Sequence, residues 1–354
     1  MTKELEKMKG YQKSSPEMLK KVLARKEEVF ADVKDVKLKS DSRIFMVANG
    51  SSAEGVRVAA FIWERILGIK PYYVNPYLFA HYPNGVKKDD IVLVLSQTGT
   101  SHEVLQSARV AKAAGAVTIG ITTVPETPIT KIVDHLVFIP EGYENVDYKI
   151  VGMIVNMLAT ILVGYGVALA NDIETDLETA VAELAACFDR YEDIASEVEN
   201  WVTANYQWIN EASCYSFIGS GSLVEAATEL SVKMSEVTNR QTNFYDIEEY
   251  MHGACAVTDP HHTLVIFAGN ENVPFALKSF NASVKIGKPT VWLGPKGPEG
   301  QPAYTMSDDW VIACFDAIAA AHAFVITLGI LGNHGTEGAK LFAYYQEELK
   351  VREE

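Results

Sequence analysis

An apolar segment that runs into small hydroxyl residues is the first feature of the chain that suggests chemistry. Residues 92–95 are apolar and rich in β-branched side chains, and they are followed by Ser96-Gln97-Thr98-Gly99-Thr100-Ser101. A polar turn between a strand and a helix directs backbone N–H groups towards an anion. The segment has no lysine and no G-x-x-x-x-G-K-[ST] pattern, which argues against a nucleotide P-loop. It predicts either a cradle for one phosphate or an ordinary turn with a hydroxyl cap.

A row of charged residues is the second candidate. Glu229, Lys233 and Glu236 are spaced so that a helix places them on one face. A carboxylate beside an ammonium group suits general acid–base chemistry, although exposed ion-paired helix faces have the same pattern. His252 follows Glu236 by sixteen residues and precedes Gly253.

The composition limits the classes of partner. With 354 residues and 48% hydrophobic content, the chain is long enough for about two domains with large cores. A formal net charge of -15 argues against nucleic acid as a partner. The four cysteines contain no C-x-x-C pair, which indicates reduced thiols without a zinc site. We therefore expect a cytoplasmic protein that uses no metal and no cofactor.

One uncharged segment is long enough to cross a membrane. It runs from Val151 to Ala170, and Asn156, Gly164 and Gly166 interrupt its apolar sequence. A helix buried in the core of a domain has the same apolar character on all sides. We expect a buried helix and no membrane contact.

The surrounding elements predict an α/β fold. Strands and helices alternate from about residue 43 to residue 139, with polar turns at the strand ends. After a long acidic helix the pattern repeats, and Gly221-Ser222 corresponds to Gly50-Ser51. The sequence therefore predicts two tandem doubly wound parallel-sheet domains. Further predictions are a first helix that starts at Ser14-Ser15-Pro16 and a strand from Trp310 to Cys314.

We expect three regions along the chain: an N-terminal domain with a leading helix at 1–171, a linker helix with a second domain at 172–332, and a tail at 333–354. The second domain has no counterpart of the Ser-Gln-Thr-Gly sequence. The phosphate cradle is therefore expected in the first domain, and the tail is expected near the active site.

Two polar loops together resemble the sugar isomerase (SIS) domain family. The first is Asn49-Gly50-Ser51-Ser52 after an early strand, and the second is the Ser96–Ser101 segment. Two copies would cover about residues 35–330 and resemble the isomerase half of glucosamine-6-phosphate synthase. The resemblance implies flavodoxin-like domains and a phosphosugar ligand. It assigns phosphate binding to Ser51, Ser52, Ser96, Gln97, Thr98 and Ser101, with Gly50 as a further contact.

The resemblance also extends to the charged row. It implies that Glu236 is the catalytic base, that Lys233 and His252 assist it, and that Glu229 contacts the substrate. Ala254 departs from the family, in which proline usually follows the His-Gly pair. The family has a cation near the C-terminus that reaches the sugar. Lys340 is the candidate for that role, with His334 as the alternative.

The activity implied by the resemblance has three versions. The sequence shows no amidotransferase domain, so we expect a fructosamine-6-phosphate deglycase that acts on a sugar phosphate–amino acid adduct. The alternatives are an amino-sugar-phosphate deaminase or aldose–ketose isomerase, and a non-catalytic phosphosugar-binding regulator. A homodimer or higher homo-oligomer with shared active sites is expected. Four residues are candidates for selecting the amine: Tyr143, Tyr148, Lys149 and Tyr245.

Overall fold

The computed structural model describes residues 2–257, 259–334 and 338–353. In these residues the strands are β1 Ile44–Val47, β2 Tyr72–Val74, β3 Ile91–Leu95, β4 Val117–Thr122, β5 His135–Phe138, β6 Cys214–Gly219, β7 Gln241–Asp246, β8 His262–Phe267 and β9 Thr290–Leu293. The helices are α1 Lys3–Ala24, α2 Lys26–Val33, α3 Ser51–Leu67, α4 Pro76–His81, α5 His102–Ala113, α6 Val151–Ala170, α7 Leu177–Asn210, α8 Leu223–Thr238, α9 Ile247–Met251, α10 Val273–Lys285, α11 Ala313–Leu331 and α12 Gly338–Glu348.

The chain divides into two compact units, and each is discontinuous in sequence. The N-terminal unit comprises Glu17–Asn145, Val151–Ala182 and Phe342–Glu354. The C-terminal unit comprises Met1–Pro16, Val146–Ile150 and Glu183–Leu341. The end of the chain therefore belongs to the same unit as the Ser96–Ser101 segment.

The N-terminal unit contains a parallel sheet with strand order β2-β1-β3-β4-β5. This is the flavodoxin-like order of a doubly wound fold. Successive side chains of a strand point to opposite faces, so Phe45 and Val47 pack against α4 and α5. Helices α3 and α6 pack against each other and cover the other face. The predicted α/β fold class is confirmed.

The C-terminal unit repeats this plan with the order β7-β6-β8-β9, again parallel. Helices α8 and α11 pack together, and α10 contributes Phe280 to a cluster with Trp292 of β9. Gly50 and Gly221 both have a φ of +57°, at the turn that follows the first strand of each sheet. Their shared left-handed conformation agrees with the repeat inferred from the sequence.

The predicted strand at residues 310–314 is wrong. Residues 310–312 form a turn, and Ala313 begins α11. Asp309 accounts for the difference, because its carboxylate accepts hydrogen bonds from the backbone N–H groups of Val311 and Ile312. A carboxylate that accepts from successive N–H groups caps a helix start, so the apolar residues continue into a helix.

The predicted start of the first helix is also wrong. Helix α1 begins at Lys3 and contains Pro16, and a separate helix α2 ends at Val33. Proline removes one backbone hydrogen bond inside a helix and disturbs the turn before it. The hydroxyls of Ser14 and Ser15 both donate to the carbonyl oxygen of Tyr11 in that turn. The serine pair therefore supports a helix interior, although the same residues are typical of a helix start.

Helices α6 and α11 are long and apolar enough to cross a membrane by composition. In each, 89% of the most apolar window is buried inside the structure. Asn156 and Thr160 of α6 are buried with the apolar residues around them. The expectation that residues 151–170 form a buried core helix is confirmed.

Asp90, at the start of β3, provides a stability prediction. Its buried carboxylate accepts hydrogen bonds from the backbone N–H groups of Arg43 and Lys87 and pairs with the Arg43 guanidinium. Burial raises the pKa of Asp90, but these donors outweigh burial and leave that pKa below its ordinary value. We expect Asp90→Asn to lower the free energy of unfolding by about 1.5–3 kcal/mol at pH 7.

The stability contributed by the Asp90 charge is present above the unfolded-state pKa, near 4. It is lost as pH falls through the lower folded-state pKa. Urea unfolding of the wild type and Asp90→Asn should therefore converge in acid. The exposed Asp35→Asn change is the control, and an equal effect from both variants would contradict the prediction.

Candidate functional site

The Ser96–Ser101 segment, called the hydroxyl loop below, connects β3 to α5. The Ser96 hydroxyl donates to the Ser101 hydroxyl over 3.0 Å, and the Thr98 and Thr100 hydroxyls lie 2.8 Å apart. Ser101 precedes α5 and uses no side-chain cap hydrogen bond. The loop therefore gathers hydroxyls at a helix N-terminus, where an oxyanion is favoured.

Gln97 has a different part in the loop. Its side-chain amide donates to the carbonyl oxygen of Gly142 over 2.6 Å. Its own carbonyl oxygen accepts from the backbone N–H of Thr123 over 2.9 Å and from the Thr123 hydroxyl over 2.8 Å. These bonds hold the loop against the end of β4 and the following turn. A direct phosphate contact by the Gln97 side chain stays a prediction.

A cavity of about 440 Å³ lies beside the hydroxyl loop. Gly50, Thr98 and Ser101 line it, whereas the other predicted phosphate residues, Ser51, Ser52, Ser96 and Gln97, are not among its lining residues. Ser51 and Ser52 open α3 next to Gly50, and the Asn156 side-chain amide donates to the Ser52 hydroxyl over 3.4 Å. The two predicted polar loops therefore meet at one cavity through Gly50, Thr98 and Ser101.

Residues near the end of the chain also line this cavity. Phe342, Tyr345 and Leu349 supply apolar surface, and Lys350 and Arg352 supply cations. The predicted cation, Lys340, is an exposed residue of α12 that belongs to the C-terminal unit. Lys350 and Arg352 were missed by the sequence analysis, although both lie closer to the C-terminus than Lys340.

Residues 351–353 are fixed directly to the hydroxyl loop. His102 N–H donates to the Val351 carbonyl oxygen over 2.9 Å, and Glu353 N–H donates to the Thr100 carbonyl oxygen over 2.7 Å. Arg109 forms two 2.7 Å hydrogen bonds with the Glu353 carboxylate, and this pairing with Arg109 lowers the pKa of Glu353. The Arg109 pair holds the chain end at the start of α5, where Lys350 and Arg352 reach the cavity.

The C-terminal unit contains the second predicted group of residues. Glu229, Lys233 and Glu236 lie on one face of α8, as their spacing predicts, and they form what we call the acid–base row. The Lys233 ammonium donates to Glu236 over 2.7 Å and lies 3.9 Å from Glu229. The side chain of Glu229 is fully buried and that of Lys233 is 2% exposed, whereas Glu236 is 23% exposed. An exposed ion-paired face is therefore excluded for this row.

The charges around Glu236 determine its proton affinity. Burial raises the pKa of Glu236, the neighbouring Lys233 lowers that pKa, and Glu229 raises it. Tyr148 faces the same carboxylate, and burial together with Glu236 raises the pKa of Tyr148 to about 12. A carboxylate with a raised pKa beside a fixed ammonium group is suited to proton transfer near neutral pH.

The other candidates are placed as follows. His252 is exposed and follows α9, with its N–H donating to the Glu249 carbonyl oxygen. His334 lies 3.3 Å from the Asn210 side chain, and burial lowers the pKa of His334. The Lys149 ammonium donates to the Val146 carbonyl oxygen over 2.7 Å. Of the remaining amine-selecting candidates, Tyr143 is exposed and Tyr245 packs against Tyr250.

Among the described residues, no group of three His, Cys, Asp or Glu side chains has the arrangement of a metal site.

Comparison with known proteins identifies the N-terminal part of the chain. Residues 37–170, which carry β1 to β5 and the hydroxyl loop, match the family model described as SIS domain. The match concerns this N-terminal part of the chain, which is similar to an SIS domain. The two parallel sheets of the chain have the fold of the SIS and phosphosugar isomerase proteins.

The chain is similar in sequence to glutamine–fructose-6-phosphate aminotransferase (isomerizing) of Chlamydia trachomatis serovar D. The two are 24% identical over 268 residues, which cover 73% of this chain and 43% of the relative. The chain thus spans about two fifths of the length of the curated relatives it matches.

Two solved structures establish the fold independently. The C-terminal domain of glucosamine-fructose-6-phosphate aminotransferase from Francisella tularensis superposes with a TM-score of 0.78 at 15% identity, covering 93% of this chain and 96% of that one. Glucosamine-6-phosphate deaminase from Thermotoga maritima gives a TM-score of 0.68 at 18% identity, covering 90% and 96%. At these identities the likeness concerns the fold alone.

Proposed function

We propose that this protein is a fructosamine-6-phosphate deglycase. It would convert a sugar phosphate–amino acid adduct to a hexose 6-phosphate and a free amino acid. The observation that carries the proposal is the composition of the cavity at the hydroxyl loop. Hydroxyl groups and a helix N-terminus suit the phosphate, while Phe342, Tyr345 and Leu349 offer apolar surface for an aliphatic amine.

The proposed chemistry is proton transfer next to a carbonyl group. Glu236 removes a proton from C1 of the ketoamine, and the electron pair forms an enaminol while the C2 oxygen gains a proton. Protonation of C2 and loss of the proton on nitrogen then give a C1 imine, and the C2 hydroxyl is retained. Water hydrolyses the imine and releases the amine. Lys233 keeps Glu236 oriented through its 2.7 Å hydrogen bond, and His252 is proposed to open the ring or protonate the amine.

Phosphate binding by the hydroxyl loop would position the substrate without taking part in proton transfer. Binding energy from a group remote from the reacting carbon lowers the chemical barrier only when it fixes the substrate correctly. Thr98 and Ser101 on the loop, together with Lys350 and Arg352 from the chain end, are the proposed phosphate ligands. We also propose a homodimer or higher homo-oligomer with shared active sites, and a cytoplasmic location.

An amino-sugar-phosphate deaminase or an aldose–ketose isomerase is the second candidate. The fold shared with the Thermotoga maritima deaminase favours it. In both reactions the same base would move the same type of proton. In the deaminase the nitrogen would leave as ammonia, whereas the substrate of the isomerase would contain no nitrogen. A non-catalytic phosphosugar sensor is the third candidate.

Separate incubations with fructoselysine 6-phosphate and glucosamine 6-phosphate distinguish these candidates. We expect equal amounts of lysine and glucose 6-phosphate from the first compound. Ammonia from glucosamine 6-phosphate alone would contradict the deglycase and support the deaminase. Binding of both compounds without turnover would support the sensor.

Replacement of Lys233 should change the pH dependence of turnover. Because Lys233 lowers the pKa of Glu236, Lys233→Met should move the ascending limb of kcat/KM upward by about 1–3 pH units. Because the activity requires the carboxylate form of Glu236, the variant should lose most activity at the acidic end of the pH range. Rate profiles between pH 5 and 9 test this expectation, with Lys278→Met on α10 as the control. An ascending limb at the wild-type pH would contradict it.

A further inference from the structure

A buried histidine outside the predicted site contacts the acid–base row. His322 lies in the middle of α11, where its side chain is fully buried among apolar residues. Its Nε2 lies 3.1 Å from Oε1 of Glu229, whose side chain is equally buried. A buried polar pair of this kind is costly unless its hydrogen bonds are satisfied.

The contacts of His322 determine how the ring can act. Its Nδ1 atom is buried and has no hydrogen-bond partner within the part of the chain that the structure describes. Protonation of Nδ1 would therefore leave a buried N–H group unsatisfied. The tautomer with its proton on Nε2 avoids this cost, because Nε2–H can donate to Glu229.

The contacts continue from Glu229 to the proposed base. The same Glu229 oxygen lies 3.9 Å from the Lys233 ammonium, which donates to Glu236 over 2.7 Å. The order His322, Glu229, Lys233 and Glu236 runs from the core to the partly exposed carboxylate. Lys233 is thus placed between two carboxylates, and its position depends on how strongly each attracts it.

We propose that His322 is a positioning residue for the base: by donating to Glu229 it stabilises that carboxylate and leaves the Lys233 ammonium bound to Glu236. The proposal rests on the function proposed above, since it assigns a role to Glu236. Without this donor, Glu229 would attract the Lys233 ammonium more strongly. The ammonium would then move towards Glu229 and away from Glu236.

The test measures the ionisation of Glu236 directly, without substrate. Among the described residues, the charged and titratable groups that act on or are influenced by Glu236 include Lys233 and Glu229 on α8 and Tyr148 in the segment 146–150. Protein labelled with ¹³C in the glutamate carboxyl groups is titrated by NMR, and the Glu236 signal is assigned with Glu236→Gln. His322→Phe removes the donor and keeps an aromatic ring, whereas His322→Gln keeps an N–H group near the position of Nε2.

We expect His322→Phe to raise the Glu236 titration midpoint by about 1 pH unit and His322→Gln to restore it. Unchanged midpoints in folded His322→Phe would overturn the proposal and leave a packing role for the histidine. If His322→Phe does not fold, His322→Asn replaces it, because the shorter amide ends before Glu229. The titration needs no substrate, so its result does not depend on whether either phosphosugar is turned over. A failure of this proposal can therefore be distinguished from a failure of the proposed function.

Discussion

Glu236→Gln is expected to lower kcat by about 10²- to 10⁴-fold, which is the range for removal of a general base. Glutamine keeps the size and most of the packing of the side chain, but it cannot accept the substrate proton. KM should change little, because the proposed phosphate ligands lie elsewhere in the chain. Steady-state kinetics with the preferred phosphosugar from the two-substrate assay provide the measurement.

The control for this variant is Glu211→Gln, which makes the same change at an exposed position near the end of α7. Burial raises the pKa of Glu236, so removal of its charge should not destabilise the fold. Both variants should therefore unfold at wild-type temperatures. Full activity of Glu236→Gln would remove the base assignment, and equal losses in both variants would point to a general structural effect.

The sequence predicted the fold well wherever buried strands gave apolar runs. Strand β3 is fully buried, and its apolar, β-branched composition was enough to recognise it. Strand β7 was not predicted, because four of its six residues are only half-buried, two are exposed, and most of them are polar. An edge strand with this exposure has no hydrophobic period to detect. The apolar residues 310–314 were predicted as a strand although they lead into a helix. The residue that favours the helix, Asp309, lies just before this apolar segment.

The candidate site was predictable only where its residues lie close together in the sequence. The acid–base row lies within one helix, so its spacing alone placed three side chains on one face. His322 is separated from Glu229 by 93 positions, and the apolar sequence of its helix is typical of a buried core helix. The sequence predicted only that the tail lies near the active site. It could not predict the pairing of residues 351–353 with the hydroxyl loop, because that pairing depends on tertiary structure.

Gly99 explains how the hydroxyl loop keeps its shape, and it gives the second large expected effect. Its φ is +66°, a conformation in which a side chain is strained by about 1–2 kcal/mol. A Cβ atom there would lie 2.0 Å from Oγ1 and 2.8 Å from Cβ of Thr127, distances at which something must move. Gly99→Ala should therefore displace the loop and lower kcat/KM by about 10²-fold.

Gly68→Ala provides a matched control for Gly99→Ala. Gly68 has the same φ of +66° and ends α3, but a Cβ atom there would meet nothing within 4 Å. Backbone strain alone should reduce the unfolding free energy similarly in both variants, while only Gly99→Ala should weaken binding of the phosphosugar. Thr127→Gly in the Gly99→Ala background removes both clashing atoms and should recover part of the lost affinity. Isothermal titration with the phosphosugar separates these cases, and equal affinities in Gly99→Ala and Gly68→Ala would show that the hydroxyl loop does not hold the phosphate.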